Sequence, residues 1–71
     1  MLRYTIVIEK ADGNYSAYCP DLPGCIATGA SAEETTERIK EAIELHIEGL
    51  KAEGLAVPPP ATSAALVEVA P

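Results

Sequence analysis

The sequence predicts an α+β domain in which one helix lies across one face of a small antiparallel sheet. Residues 2–9 alternate apolar and polar side chains with the period of two that is typical of a strand. Residues 31–53 instead repeat apolar side chains with the period of a helix and begin at a capping motif. At 71 residues the chain suffices for one such domain, whose core should be thin.

The first two strands are predicted to form a hairpin. The even-numbered residues 2–8 would share one face of strand one, and the turn at residues 11–14 is rich in residue types that favour tight turns. It leads into a second strand that ends near Cys19. Tyr15 and Tyr18 would point to opposite faces of this strand, so at least one of them should be exposed or lie at an interface.

A rigid turn is predicted at residues 20–24, with the sequence Pro-Asp-Leu-Pro-Gly. Neither proline can donate a backbone hydrogen bond and both restrict φ, so the sheet ladder must break here. A short third strand is expected from Cys25 to Gly29.

The predicted helix begins at Ser31 and Glu34, which have the spacing of a capping box, and Gly54 supplies a left-handed stop near residue 53. In the box, the Ser31 hydroxyl and the Glu34 carboxylate would each accept a backbone N–H. The predicted apolar face comprises Ala32, Thr35, Thr36, Ile39, Ala42, Ile43, His46, Ile47 and Leu50, and the opposite face comprises Glu33, Glu37, Lys40, Glu41, Glu44, Glu48 and Lys51.

Two helix positions depart from this pattern. Leu45 projects near the polar edge, and Gly49 lowers helix stability by about 1 kcal/mol relative to Ala. Either they are a stray exposed Leu and a tolerated Gly, or they form a contact with a subunit or a partner.

The C-terminal quarter of the chain carries a stiff proline spacer, residues 55–61, followed by a predicted strand at residues 64–69. This strand would return to the sheet or pair with another subunit, which gives the order β-β-β-α-β in one domain, residues 1–71, with its core in residues 2–53. Since no helix covers the second face of the sheet, we expect a homo-oligomer, a dimer or a tetramer. Its predicted contacts are Tyr18, Leu45, Gly49, Val67 and Val69.

The formal net charge is −6 and the pI is about 4.5. Only five Lys and Arg residues are available to neutralise phosphates, so direct binding of nucleic acid is disfavoured. An acidic surface suits a basic protein partner, although charge that only maintains solubility is the alternative. No apolar run is long enough to span a membrane and no signal-peptide segment precedes strand one, so we expect a reduced, cytoplasmic protein.

The sequence offers little catalytic chemistry. Cys19, Cys25 and His46 are the only soft metal ligands, and they are too few and too poorly spaced for a zinc site. The cysteines are expected to pack as small hydrophobic residues. A Cys–His nucleophile pair has no support from spacing, and no glycine loop could hold a phosphate. We therefore expect no enzyme activity, no metal and no cofactor.

Four short segments carry a resemblance to a known family. They are residues 15–25 (YSAYCPDLPGC), residues 28–31 (TGAS) and the helix positions 33–34 and 41–43. Over about residues 2–53 the chain resembles HicB, the antitoxin of HicBA toxin–antitoxin pairs. The resemblance implies a degenerate ribonuclease-H-like fold without catalytic carboxylates. It also implies a partner of HicA type, a small basic mRNA-cleaving toxin whose active site the antitoxin covers.

The chain departs from many HicB proteins after Gly54. The following 17 residues are rich in Pro and Ala and contain no basic helix, so repression of its own operon through a DNA-binding segment is not expected.

Three functional hypotheses follow. In the first, the chain is an antitoxin that binds a basic toxin. In the second, it is an oligomeric binding module without a toxin. In the third, it is a residual nuclease, whose metal-dependent cleavage of RNA would be abolished by Asp21→Ala. The predicted partner contacts are Asp21, Leu22 and Pro23 in the rigid turn and Glu41, Glu44 and Glu48 on the helix.

Overall fold

The computed structural model describes all 71 residues and contains three strands followed by one helix. The strands are β1 (Val7–Ala11), β2 (Asn14–Tyr18) and β3 (Ile26–Gly29), and the helix is α1 (Ala32–Ala52). The strands form one antiparallel sheet in the order β1-β2-β3. This confirms the predicted α+β class.

Strand β1 starts five residues later than its alternating pattern suggests. The register pairs Val7 with Tyr18, so Ile6 and Thr5 would have to pair with Cys19 and Pro20. The Cys19 N–H donates instead to the Cys25 carbonyl, and proline has no N–H. Residues 2–6 therefore continue beyond the sheet without a ladder partner.

The rigid turn closes on itself and carries the centre of the core. The Leu22 N–H donates to the Cys19 carbonyl, and the Cys25 N–H donates to the Leu22 carbonyl, both at 3.1 Å. These bonds turn the Leu22 side chain inward, where it is fully buried. The buried apolar cluster consists of Ala17, Cys19, Leu22, Cys25 and Ile39, with Tyr4, Ile6, Ala27, Ala42, Ile43 and Ile47 packed around it.

Both ends of α1 match the prediction, with one correction. The Ser31 hydroxyl caps the helix by accepting the Glu34 N–H at 3.1 Å. The Glu34 carboxylate does not complete the capping box, because it pairs with the Arg38 guanidinium at 2.9 Å, one turn along the helix. At the C-terminus, Gly54 has φ +71°, and the Leu55 N–H donates to the Leu50 carbonyl, as in a Schellman motif.

The predicted apolar face of α1 packs on the sheet, mainly on β3 and β2. Thr35 and Ile39 are buried at its centre, whereas Thr36 is exposed at its margin. The Thr35 hydroxyl donates to the Ser31 carbonyl at 2.7 Å, so this buried polar group is satisfied locally.

The predicted fourth strand at residues 64–69 is not formed. Residues 55–71 contain no helix or strand, and residues 61–71 are all exposed. Three consecutive prolines and the bonds that hold residues 58–62 against the domain fix where the chain leaves it. The segment beyond them then extends away from its own sheet.

Candidate interaction surfaces

A C-terminal strap, residues 58–62, lies across the N-terminal segment and the rigid turn. The Tyr4 hydroxyl donates to the Pro58 carbonyl at 2.6 Å, and the Thr5 hydroxyl donates to the Thr62 carbonyl at 2.6 Å. Asp21 provides the third attachment. Its Oδ2 accepts the backbone N–H groups of Ala61 and Thr62 at 3.0 and 3.1 Å, and its Oδ1 accepts the Thr62 hydroxyl at 2.8 Å.

These three bonds define the role of Asp21. The Ala61 N–H, the Thr62 hydroxyl and the Thr62 N–H all stabilise the charged carboxylate and lower its pKa, against a smaller opposing effect of desolvation. Both carboxylate oxygens are thus used within the chain. The Asp21 side chain therefore attaches the strap. The sequence analysis instead predicts Asp21 as a partner contact, so that prediction is corrected here.

The prediction for Leu22 is corrected as well. Its side chain has no exposed surface, because the turn directs it into the core. A residue buried in this way cannot touch a partner without opening the turn. Pro23 remains exposed at the tip of the same turn, so it is the turn residue that a partner can reach.

An acidic stripe runs along the exposed side of α1. Glu37, Glu41, Glu44 and Glu48 are all exposed and recur at helical spacings of four, three and four residues. At 100° per residue they share one narrow face, so their charges add rather than cancel. The structure thus leaves Glu41, Glu44 and Glu48 open to a partner, as their polar helix face predicts.

Leu45 and Gly49 lie one helical turn apart beside this stripe. Leu45 is 68% exposed, and nothing lies within 4 Å of a Cβ built at Gly49. Such a position is open to contact by a subunit or a partner, and it is equally compatible with a stray exposed Leu beside a tolerated Gly. Within the single chain, neither residue has a tertiary packing role that would explain its type.

The sheet face opposite the helix carries one apolar row across all three strands. Val7 pairs with Tyr18, and Tyr18 pairs with Ile26. Tyr18 is partly exposed and Ile26 is 70% exposed. No helix or loop covers this row, which agrees with the predicted second-copy contact at Tyr18 but does not test it.

A groove of about 550 Å³ opens between the N-terminal segment and α1. One wall is Leu2, Tyr4 and Ile6, and the other includes Ile43 and Ile47. The first wall leads into the edge strand β1, and the groove reaches the acidic stripe at Glu44, on the side of the stripe away from Leu45. Charged side chains at its rim are Arg3, Lys40 and Glu44.

The two cysteines lie in the core. Cys19 and Cys25 are free and buried, and burial, with a smaller effect of Cys19, raises the pKa of the Cys25 thiol. This disfavours the reactive thiolate and fits the prediction that the cysteines pack as small hydrophobic residues. The structure brings no three His, Cys, Asp or Glu side chains together as a metal site. The single helix is not apolar enough to cross a membrane.

The rigid turn, the capped helix and the C-terminal strap all lie within the residues that one family model matches. A family model described as a HicB-like antitoxin of bacterial toxin–antitoxin systems matches residues 4–70. The chain belongs to this family. The match extends the resemblance seen over residues 2–53 into the C-terminal segment, so the strap and the following residues are part of the HicB-like unit.

Relatives occur in bacteria and archaea. A UPF0150 protein of Synechocystis is 52% identical over 57 residues, which cover 79% of this chain and 72% of the relative. A UPF0150 protein of Thermoplasma acidophilum is 41% identical over 58 residues and covers 80% of this chain and 84% of the relative. These matches support the HicB-like assignment at high coverage.

A solved structure of a HicA3 and HicB3 toxin–antitoxin complex matches the fold. The TM-score is 0.72 with 35% sequence identity, over 83% of this chain and 70% of the matched chain. The three strands and one helix therefore correspond to a HicB-like fold.

Sequence reasoning missed the strap and the groove. Neither has a local sequence signal, because the strap depends on Asp21 meeting Thr62 across 41 positions. The groove depends on the end of β2 at Tyr18, because residues 2–6 then continue without a strand partner and form one of its walls.

Proposed function

We propose that this HicB-like chain is an antitoxin that binds a small basic mRNA-cleaving toxin of HicA type and covers its active site. The family membership supports the antitoxin role, and the matched HicA3 and HicB3 complex supports the class of partner. The observation that carries the proposal in this chain is the acidic stripe. Four exposed glutamates on one face of α1 complement a basic ribonuclease, whose RNA-binding surface must itself be positive.

The proposed toxin contact consists of Glu41, Glu44 and Glu48 with the exposed Pro23 of the rigid turn. Helix and turn are both held by the core, so the surface is preorganised and little entropy is lost on binding. Leu45 is exposed beside the acidic stripe, where it could supply an apolar contact next to the charged ones. Leu45 and Gly49 remain equally suited to contact a second copy.

The proposed mode of action is occlusion without catalysis by this chain. It requires no metal or cofactor and no direct contact of this chain with nucleic acid. We further propose a homo-oligomer, a dimer or a tetramer, that functions in the cytoplasm, where a toxin acting on mRNA would be met.

The test is co-expression of this chain with a HicA-like protein encoded beside it. We expect co-purification of the two proteins and relief of the growth arrest caused by the toxin alone. A disrupting variant of this chain, Leu45→Asp with Glu44→Lys, alters the proposed surface at two exposed positions and is tested with the same toxin. This variant should keep its helical circular dichroism and lose the rescue.

Wild-type chain that neither co-purifies with the toxin nor rescues growth would contradict the antitoxin proposal. The exposed Tyr18–Ile26 row would then favour the second candidate, an oligomeric HicB-like binding module without a toxin.

A further inference from the structure

The exposed C-terminal segment, residues 64–69, carries apolar side chains that the domain does not use. Val67 and Val69 are 79% and 82% exposed, and Leu66 is fully exposed. Three large aliphatic side chains within four residues are unusual for a segment that contacts only water. In an extended chain Val67 and Val69 project to one side, and Leu66 and Glu68 project to the other.

The dimensions of the single chain show how much surface this extended segment leaves uncovered. The radius of gyration is 13.8 Å and the longest axis is 48 Å. A compact domain of this length has a radius of gyration of about 11 Å. The accessible surface is 5513 Å². A compact monomer of this mass exposes about 4,200 Å². The excess is about 1,300 Å² per chain, more than the roughly 800 Å² that each partner buries in a standard protein interface.

The groove between the N-terminal segment and α1 offers the matching site. Its walls are aliphatic, and its volume of about 550 Å³ is enough for a few side chains. The N-terminal segment that forms one wall leads directly into β1, an edge strand whose outer backbone groups have no strand partner.

We propose that residues 64–69 of one copy bind along the β1 edge of a second copy, with Val67 and Val69 in its groove, and that the exchange is reciprocal. The strap anchors each donated segment at Thr62, so the segment leaves the domain in a fixed direction and is presented to the partner. A reciprocal exchange makes a closed two-fold dimer in which Val67 and Val69 of both copies are covered. The inference does not depend on the toxin, because Glu37, Glu41, Glu48 and Leu45 do not line the groove, and of the acidic stripe only Glu44 does.

The test compares masses by light scattering after size exclusion. We expect the full chain to have twice the monomer mass of 7.4 kDa. Val67→Asp with Val69→Asp should raise the dimer dissociation constant at least about 100-fold and give a monomer. The matched control, Ala64→Asp with Ala70→Asp, adds the same two charges on the other side of the segment and should remain dimeric.

A second variant tests the receiving site. Leu2→Asp changes an exposed wall of the groove, so it should fold and be monomeric alone. Mixed with the Val67→Asp and Val69→Asp variant, it should form a heterodimer, because one intact segment and one intact groove remain. A monomeric full chain, a dimer that survives the two aspartates at 67 and 69, or no heterodimer on mixing would each overturn the proposal.

Discussion

Gly29 sets the distance between the helix and the sheet. It is buried in β3, and a Cβ built there would lie 2.6 Å from the Thr35 Oγ1 and 3.0 Å from the Thr35 backbone nitrogen. Thr35 cannot move away, because its hydroxyl is bonded to the Ser31 carbonyl in the first helical turn. Only a residue without a side chain allows the capped end of α1 to pack this closely.

Gly29→Ala should therefore destabilise the fold by about 1–3 kcal/mol, the usual effect of forcing one extra carbon into a packed interior. Urea unfolding followed by circular dichroism measures the change. The control is Gly49→Ala, where the added carbon meets nothing and should stabilise the helix by up to about 1 kcal/mol. Equal effects of the two substitutions would show that packing against Thr35 is unimportant.

Asp21 makes the attachment of the strap dependent on pH. Its folded pKa is lowered, so its contribution to stability is fully present above the ordinary Asp pKa and is lost as the pH falls through the lower, folded value. The amide chemical shifts of Ala61 and Thr62 should report that lowered pKa in an acid titration. Asp21→Ala should abolish the titration of both amides, whereas Asp12→Asn in the exposed hairpin turn should leave it unchanged.

An Asp21 carboxyl that titrates at or above its ordinary pKa would contradict the three bonds to the strap.

At this scale, sequence reasoning placed the caps correctly and misjudged Leu22. Ser31 and Gly54 have local signals, because a helix cap involves neighbours within a few residues. The direction of the Leu22 side chain depends on two backbone bonds that fold the whole turn, and the pattern Pro-Asp-Leu-Pro-Gly gives no sign of them. The bonds of Asp21 to residues 61 and 62 likewise have no local sequence signal, because they join positions 40 and 41 residues apart.

At the scale of single elements, the acidic stripe of α1 should control the speed of toxin binding. Exposed charges steer encounter at long range and contribute less to the stability of the bound state. Glu41→Gln, Glu44→Gln and Glu48→Gln together should lower the association rate constant by about tenfold at low salt. The difference should vanish near 1 M salt, where the screening length falls to about 3 Å. Stopped-flow or surface plasmon resonance measures the rate.

The matched control removes the same three charges elsewhere. Glu9→Gln, Asp12→Asn and Glu53→Gln change exposed residues off the stripe and alter the net charge equally. This variant should associate much faster than the stripe variant. If both variants slow association to the same extent, only the net charge of the chain matters.

Periodicity predicted the elements well where each element had a partner. β2, β3 and α1 lie close to their predicted bounds because the alternation or the helical repeat coincides with an available neighbour. Residues 2–6 alternate equally well, but the ladder stops where Cys19 and Pro20 turn away. Residues 64–69 have the composition of a strand and no strand beside them in the same chain. A strand is a property of a pair, so a pattern in one segment cannot guarantee it.

At the scale of the whole molecule, self-association and toxin binding should be separable. The groove that receives the C-terminal segment and the Leu45 side of the acidic stripe lie on different sides of α1. Only Glu44 belongs to both surfaces, so occupation of the groove leaves Glu41, Glu48 and Leu45 exposed. A dimer would present two acidic stripes, so the expected assembly has one toxin for each copy of this chain.

The Val67→Asp and Val69→Asp variant should therefore bind toxin as a monomer with nearly the affinity of the wild type. The two surfaces share only Glu44, and sites with almost no shared contacts contribute almost additively to stability. Conversely, the triple glutamine variant of the stripe should remain a dimer. Isothermal titration calorimetry gives the affinity and stoichiometry, and light scattering gives the mass of each complex. A monomeric variant that cannot bind toxin would mean that the toxin contacts both copies at once, and the binding surface would then have to span the exchanged segment.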